Sequence, residues 1–406
     1  MNSAPSNPVV SVAEPVDRRA WLVLALLVAS TFLNYFDRQI LSVVKPMIKG
    51  EFGLTDSHYS LLVSVFMAAY VVMYPIGGRL VDTYGSRRCM LVFVSVWSLA
   101  TVFTGFAGGL AHLVICRVVL GLAEPGNYPA ALRASALWFS PARRGFATSM
   151  FSAGSAIGAI VAPPLIAWIA VKHGWRAAFL IPGAAGAIWL VAWWFIYRDP
   201  AVVAPAVGAG AAVAPVARPA WGEIMRSRVL WGLVLARLIS DPVWYFLLFW
   251  FPGYVQERMG LSIGQAGAVG WIPFLVADVG GIGAAAFSDR LVRRGMAPTR
   301  ARITVLFGVA CLAPLAMALG FLTAHLALTI AIFSVLAFVC TTWLFTMAAL
   351  IADAAPRAAI GTVHGISGAF GATGGLIFNA CIGPVVDRTG YVPVFIVAGG
   401  LHLLAS

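Results

Sequence analysis

The sequence predicts an all-α integral membrane protein of twelve transmembrane helices in two six-helix halves. Three observations carry that prediction: the composition, the recurrence of apolar segments, and an internal repeat. Of 406 residues, 61% are hydrophobic and 10% charged, against roughly 25% charged in an average soluble domain. That much apolar surface cannot be hidden in one soluble core, so it must face lipid. A soluble enzyme, a secreted disulfide scaffold and a disordered chain are excluded. The net charge of +12 lies in short clusters between apolar segments, the pattern of membrane topology and not of nucleic-acid binding.

A membrane-crossing helix needs roughly 20 apolar residues. Such segments fall near 20–43, 58–80, 88–107, 111–134, 145–170, 177–197, 229–254, 264–286, 301–321, 326–350, 360–382 and 392–406. The last is short and the chain stops within it, so a truncated final helix is expected. Residues 1–19 read as a polar tail without a signal-peptide pattern. Two bundles, 20–198 and 229–406, flank a linker at 199–228, whose Ala, Val, Pro and Gly look apolar but whose prolines oppose a span. Cys89, Cys116, Cys311, Cys340 and Cys381 all fall in or beside apolar segments. They read as small core residues, neither a disulfide set nor a zinc site.

Orientation follows from the basic residues. The N-terminus, the linker and the loops on their side carry 18 of the 27 Lys and Arg, including Arg79, Arg87, Arg88, Arg290, Arg293 and Arg294. The opposite loops carry six, among them Lys45, Lys49 and Arg176. The positive-inside rule therefore puts the N-terminus, the linker and the C-terminus in the cytoplasm.

The halves repeat. At a shift of 207, Gly53-Leu54 meets Gly260-Leu261, Asp82 meets Asp289 and Arg87 meets Arg294. At 216, Gly145, Gly158, Gly174 and Gly183 meet Gly361, Gly374, Gly390 and Gly399, and Phe179 meets Phe395. One glycine match is weak in a chain with 41 of them; a consistent offset over a whole half is strong. Parallel six-helix repeats are the build of a transporter that rocks around a midplane site. A receptor or scaffold with duplicated helices is the bland alternative.

After the second segment comes Gly78-Arg79-Leu80-Val81-Asp82-Thr83-Tyr84-Gly85-Ser86-Arg87-Arg88, which resembles the loop signature of the major facilitator superfamily. Asp82 at a helix end can pair with Arg88 and a neighbouring helix to hold a cytoplasmic gate shut. Gly78 is expected to let helices approach closely. A degraded copy, Ser288-Asp289-Arg290-Leu291-Val292-Arg293-Arg294, retains the Asp and the basic run. Within the superfamily, Asn34-Tyr35-Phe36-Asp37-Arg38-Gln39, Gly121-Leu122-Ala123-Glu124-Pro125-Gly126-Asn127-Tyr128-Pro129 and Gly174-Trp175-Arg176 resemble the anion:cation symporter family. Ser240-Asp241-Pro242-Val243-Trp244-Tyr245-Phe246 and Ala277-Asp278-Val279-Gly280 are similar to its hexuronate-transporter branch. The resemblance implies the major facilitator fold and proton-driven uptake of glucuronate, galacturonate or a related sugar acid. Cys340-Thr341-Thr342-Trp343 departs from that branch, whose members usually carry a His-Gln pair before the Trp.

Charges inside a membrane are costly and line the bundle interior or a water-filled path. Seven lie within apolar segments: Asp37, Arg38, Arg117, Glu124, Arg237, Asp241 and Asp278. Arg117 and Glu124, seven apart, share a helix face. The family counterparts imply that Asp37 and Glu124 carry protons, with Arg117 as the charge they trade. Burial disfavours an ionised carboxylate and an adjacent Arg favours it, so a conformational switch can alternate the two. Arg38 then suits the substrate carboxylate, because a planar guanidinium matches it bidentately; its alternative is a permanent structural ion pair. Tyr35 and Tyr70 can reach sugar hydroxyls or simply pack. Ser155 is a substrate contact or a helix contact, and Trp244 and Trp343 stack on a sugar ring or fill space. Arg237 and Asp241, four apart, read as an intrahelical pair; Asp278 is left without a role.

No cofactor or metal is expected, since no phosphate loop, dinucleotide fingerprint or histidine cluster is present. The partners expected are a small anionic sugar acid, protons and lipid, with no nucleic acid, for a monomer in a bacterial inner membrane. An exporter of the same superfamily, or a transporter of another carboxylate, competes with the symporter reading.

Overall fold

The computed structural model describes residues 18–139, 141–198, 221–320, 325–354 and 360–406, and those residues are almost entirely helical. The linker expected between the halves falls mostly outside them, as does the N-terminal tail. Helices α1 (Arg18–Val43), α2 (Lys45–Phe52), α3 (Asp56–Gly105), α4 (Leu110–Ala123), α5 (Asn127–Trp138) and α6 (Pro141–Ile196) build the first half. The second contains α7 (Trp221–Arg226), α8 (Arg228–Met259), α9 (Ile263–Gly270), α10 (Ile272–Arg293), α11 (Pro298–Ala310), α12 (Leu326–Ala354), α13 (Ile360–Thr389) and α14 (Val392–Ala405). Nine helical stretches among the described residues are long and apolar enough to cross a membrane. Within the described residues each of the twelve segments read from sequence falls on helix, the ninth continuing past α11 as a 3₁₀ stretch at Ala313–Gly320.

Two pairs of segments run on with little or no loop. Helices α3 and α6 each contain one non-helical residue, Gly85 at φ +83° and Gly174 at φ +81°. Only glycine takes that backbone cheaply, so each fixes a sharp turn without spending a loop. The sequence repeat is matched in the backbone. Gly53 and Gly260 have φ of 62° and 66°, and Gly174 and Gly390 have 81° and 76°.

The surface is apolar where lipid would lie: Ile188, Phe195, Val279 and Leu404 are all more than half exposed. Cys311 and Cys381 are exposed there as well, which corrects the expectation that every cysteine is a core residue. The polar groups turn inward. Asp37, Arg38, Arg117, Glu124 and Arg237 are buried, as satisfaction of charge away from lipid requires.

The halves are joined at one end. Between described residues, the hydrogen bonds that cross the junction all lie at the end carrying Lys45 and Glu257. Lys45 Nζ reaches Glu257 Oε2 at 3.1 Å and Tyr391 Oη at 3.3 Å. Lys49 Nζ binds Glu257 Oε1 at 3.1 Å, Tyr59 Oη donates to the Phe249 carbonyl at 2.5 Å, and Gln256 Nε2 donates to the Val43 carbonyl at 2.9 Å. Asp387 accepts from the Asp56 and Ser57 backbone amides at 3.0 and 2.8 Å, and Ser60 donates to the Asn379 carbonyl.

Candidate functional site

The site grows out of one break in a helix. Pro125 cannot donate a backbone hydrogen bond, and the chain between α4 and α5 tightens into a 3₁₀ turn at Glu124–Gly126. Gly126 is obligatory for packing there, since a Cβ would overlap the Phe93 ring. The break leaves Glu124 buried in the first half, facing α1. Its backbone carbonyl accepts from Asn34 Nδ2 at 3.4 Å, and its carboxylate Oε2 accepts from Arg38 Nε at 2.5 Å. Helix α1 reaches this position because Gly154 and Gly158 of α6 carry no side chain: a Cβ on Gly158 would lie 3.0 Å from the Phe32 carbonyl oxygen.

The guanidinium of Arg38 also lies 5.0 Å from the Tyr35 ring centre and 4.7 Å from that of Tyr70. Cation–π contacts of this kind hold a charge without neutralising it. Arg117 is held by other contacts. Its guanidinium sits 4.4 Å from the Phe66 ring centre and its Nε makes a long, 3.5 Å bond to the Leu62 carbonyl. Arg38, not Arg117, holds Glu124 in this conformation. Among the described residues, Asp37 Oδ1, Arg117 Nη2 and Glu124 Oε1 are buried with no hydrogen-bond partner. Unpaired buried polar atoms are costly, and these three belong to charged side chains of the first half.

Arg38 and Tyr70 open onto a cavity between the halves. With Phe66 and Met67 of α3, they face Tyr245 and Phe249 of α8 and Ala372 of α13 across a narrow space of about 10 Å³, room for roughly one water. The sequence reading missed Phe66, Met67, Phe249 and Ala372. Tyr245 had a signal, standing four residues beyond Asp241 on an intramembrane polar stripe.

Other expected site residues lie elsewhere. Trp343 is buried and donates to the Leu306 carbonyl at 3.2 Å, edge-on to His402 at 5.4 Å; it is engaged within the second half and does not line the cavity. Trp244 packs edge-on against Phe274 at 6.0 Å. Ser155 bonds within its own helix, to the Ser152 carbonyl at 2.6 Å. Arg237 and Asp241 form the intrahelical pair, with Nη2 2.8 Å from Oδ2.

The expected gate residues are described in part. A Cβ on Gly78 would touch nothing within 4 Å, whereas one on Gly77 would lie 3.3 Å from Gly126 Cα. The close helix approach expected at Gly78 is one residue earlier. Arg88 is exposed, and the side chain of Asp82 lies outside the described residues. Asp289 bonds inside its own half, to Arg302 Nη1 at 2.5 Å, and Arg302 Nε also reaches Asp353 at 3.2 Å.

Comparison with known proteins agrees with this architecture. Residues 27–379 match the family model described as Major Facilitator Superfamily. The chain is 28% identical over 401 residues to the hexuronate transporter of Escherichia coli (strain K12), covering 95% of this chain and 92% of that one. It is 27% identical over 421 residues to the D-galactonate transporter of Escherichia coli O6:H1, covering 98% and 96%. Among solved structures, it resembles a bacterial homolog of the human lysosomal transporter Spinster, in an inward-facing and unoccupied conformation. The TM-score is 0.76 at 20% identity, over 96% of this chain and 93% of that one. At that identity the likeness concerns the fold alone.

Proposed function

This chain belongs to the Major Facilitator Superfamily, a family of membrane transporters and not enzymes, and we propose that it is a proton-coupled symporter importing hexuronates or related sugar acids. The observation that carries the reading is the Arg38–Glu124 pair at 2.5 Å, beside the cavity between the halves. A substrate carboxylate and the Glu124 carboxylate compete for one guanidinium. Protonation of Glu124 releases Arg38 to the substrate, so binding the anion and binding the proton become one event. Asp37, buried with an unpartnered oxygen, is the second proton site, and Arg117 is the cation that either carboxylate turns to. Tyr35 and Tyr70 wall the guanidinium and offer hydroxyls to the sugar.

The sugar-acid class is supported by relatives named as hexuronate and D-galactonate transporters. Energetics supports the coupling ion. An anion entering against 100 mV, inside negative, meets about 2.3 kcal/mol per charge, so accumulation requires co-transported cations. The basic loops support an orientation with residues 1–19 and the linker 199–228 in the cytoplasm, between bundles at 20–198 and 229–406, in a bacterial inner membrane. In that orientation the joined end of the bundle is extracellular and the chain is closed to the outside. The protein acts as a monomer, with Gly78, Asp82, Arg88 and Asp289 belonging to the cytoplasmic gate.

The test is Glu124→Gln in proteoliposomes. The amide mimics a permanently protonated carboxyl. The variant is expected to bind and exchange labelled hexuronate but not to accumulate it under an imposed pH gradient. Uphill uptake by this variant, in the absence of sodium, excludes Glu124 as the coupling group.

A further inference from the structure

The second half contributes an ion pair that the scheme above does not use. Arg237 Nε and Nη2 lie 3.0 and 2.8 Å from Asp241 Oδ2, and Ser240 Oγ lies 3.4 Å from Oδ1. A pair inside a membrane span repays its desolvation only with good geometry and further partners. Space has been cleared for this one. A Cβ on Gly371 of α13 would overlap the Asp241 carboxylate, and one on Gly368 would lie 3.2 Å from Arg237 Nη1.

The pair is also aimed. Arg237, Asp241 and Tyr245 are spaced four apart on α8 and so form one stripe; Tyr245 lines the cavity opposite Arg38. Ala372, the residue after Gly371, lines the same cavity. The side chains of Arg237 and Asp241 keep 10% and 16% of their exposure, although they are turned from lipid toward α13. The groups around them come from four helices: Tyr245 of α8, Tyr74 of α3, His364 of α13 and Cys340 of α12 lie within electrostatic range. Arg38 lines the cavity from one half, Tyr245 lines it from the other with Arg237 two turns away on the same stripe, and each guanidinium is held by one internal carboxylate.

We propose that Arg237, with Asp241 as its placeholder, is a second anion-binding half-site that takes the far carboxylate of a dicarboxylic sugar acid. The near carboxylate displaces Glu124 from Arg38, and the far one displaces Asp241 from Arg237. Arg237 is thus a specificity-determining residue, discriminating an acid with two carboxylates from one ending in a hydroxymethyl group. This inference rests on the assignment of Arg38 to the near carboxylate.

The test uses galactonate and galactarate, six-carbon acids that differ only in whether the far carbon is a hydroxymethyl or a carboxylate. Equilibrium binding of both to the reconstituted protein is measured for the wild type, Arg237→Gln, Asp241→Asn and the double variant, which keeps the membrane charge balanced. Arg237→Gln and the double variant are expected to weaken galactarate about tenfold more than galactonate, a selectivity change of roughly 1.4 kcal/mol. Asp241→Asn removes the internal competitor and is expected to shift selectivity toward galactarate. Equal weakening of both acids in the double variant, or a wild type that binds galactonate but not galactarate, overturns the half-site alone. A wild type that binds neither acid, or undiminished galactonate binding by Arg38→Ala, overturns the reading on which it rests.

Discussion

Lys45 and Glu257 meet at 3.1 Å across the junction between the two halves, and the lysine side chain has no solvent exposure. Asp56 Oδ1 lies 2.7 Å from the same ammonium, and the rings of Tyr59 and Trp250 lie 4.9 and 4.7 Å from it. One cation from the first half thus holds carboxylates from both. Opening this end must break the arrangement.

Lys45→Met is expected to open that end. Removing one partner of a buried ion pair costs about 3–5 kcal/mol, all of it borne by the closed state. A membrane-impermeant thiol reagent should label a cysteine placed at Val255, buried at the junction, several-fold faster than in the Lys45 background. An unchanged labelling rate would mean that Lys45 does not hold the halves together.

Arg38→Ala is expected to abolish sugar-acid binding and also to destabilise the fold, because Glu124 loses its ion-pair partner, at 2.5 Å. Adding Glu124→Gln should restore much of the thermal stability in detergent, since the charge stranded at Glu124 is then removed. It should not restore binding. Recovery of binding in the double variant would show that Arg38 serves structure alone.

Helix packing makes a paired prediction. At Gly121 a Cβ would lie 2.9 Å from Ala69 Cβ and would overlap the Phe66 carbonyl; at Gly78 it would meet nothing within 4 Å. Gly121→Ala should cost about 1–3 kcal/mol of stability, the usual range for overpacking, while Gly78→Ala should be silent in the same unfolding assay. A destabilised Gly78→Ala would contradict the packing described.

Glu51 supplies a pH dependence outside the membrane. It accepts from Arg176 and, at 2.6 Å, from Trp175 Nε1; these bonds hold its carboxyl below the ordinary value of 4.5. A depressed carboxyl stabilises the fold above its unfolded value, and that contribution is lost as pH falls through the folded value. Glu51→Gln should therefore lower stability at neutral pH, where the wild type has this contribution, and flatten the acid side of the profile below about pH 4.5, where the wild type loses it. An identical acid limb in the variant would remove Glu51 from the account.

Much of this molecule was legible in the sequence. Apolar runs located the helices because lipid imposes a length on them, and the repeat placed Gly174 and Gly390 at matching turns. Asp37, Arg38, Arg117 and Glu124 were legible because charge inside a membrane needs a reason. The partners were not. Seven-residue spacing puts Arg117 and Glu124 on one face, but spacing does not say which of two guanidiniums reaches the carboxylate; the approach of α1 along Gly154 and Gly158 gives it to Arg38. Lys45 looked like a loop cation, since its burial depends on α8 and α14, more than 200 residues away. Gly77 rather than Gly78 makes the close approach because helix phase is set by tertiary contact, which a motif does not contain.

The bonds between the halves have a mechanical consequence. Among the described residues the hydrogen-bonded fasteners lie at one end, and such an arrangement makes that end a fulcrum. The 26 residues of α1 make a lever roughly 40 Å long at ~1.5 Å per residue. A tilt of about 10° at the fulcrum then swings the free ends by roughly 7 Å on that length, the span of a sugar ring. Small slippage where Lys45 grips Glu257 is thereby converted into a doorway at the opposite end, without either half bending.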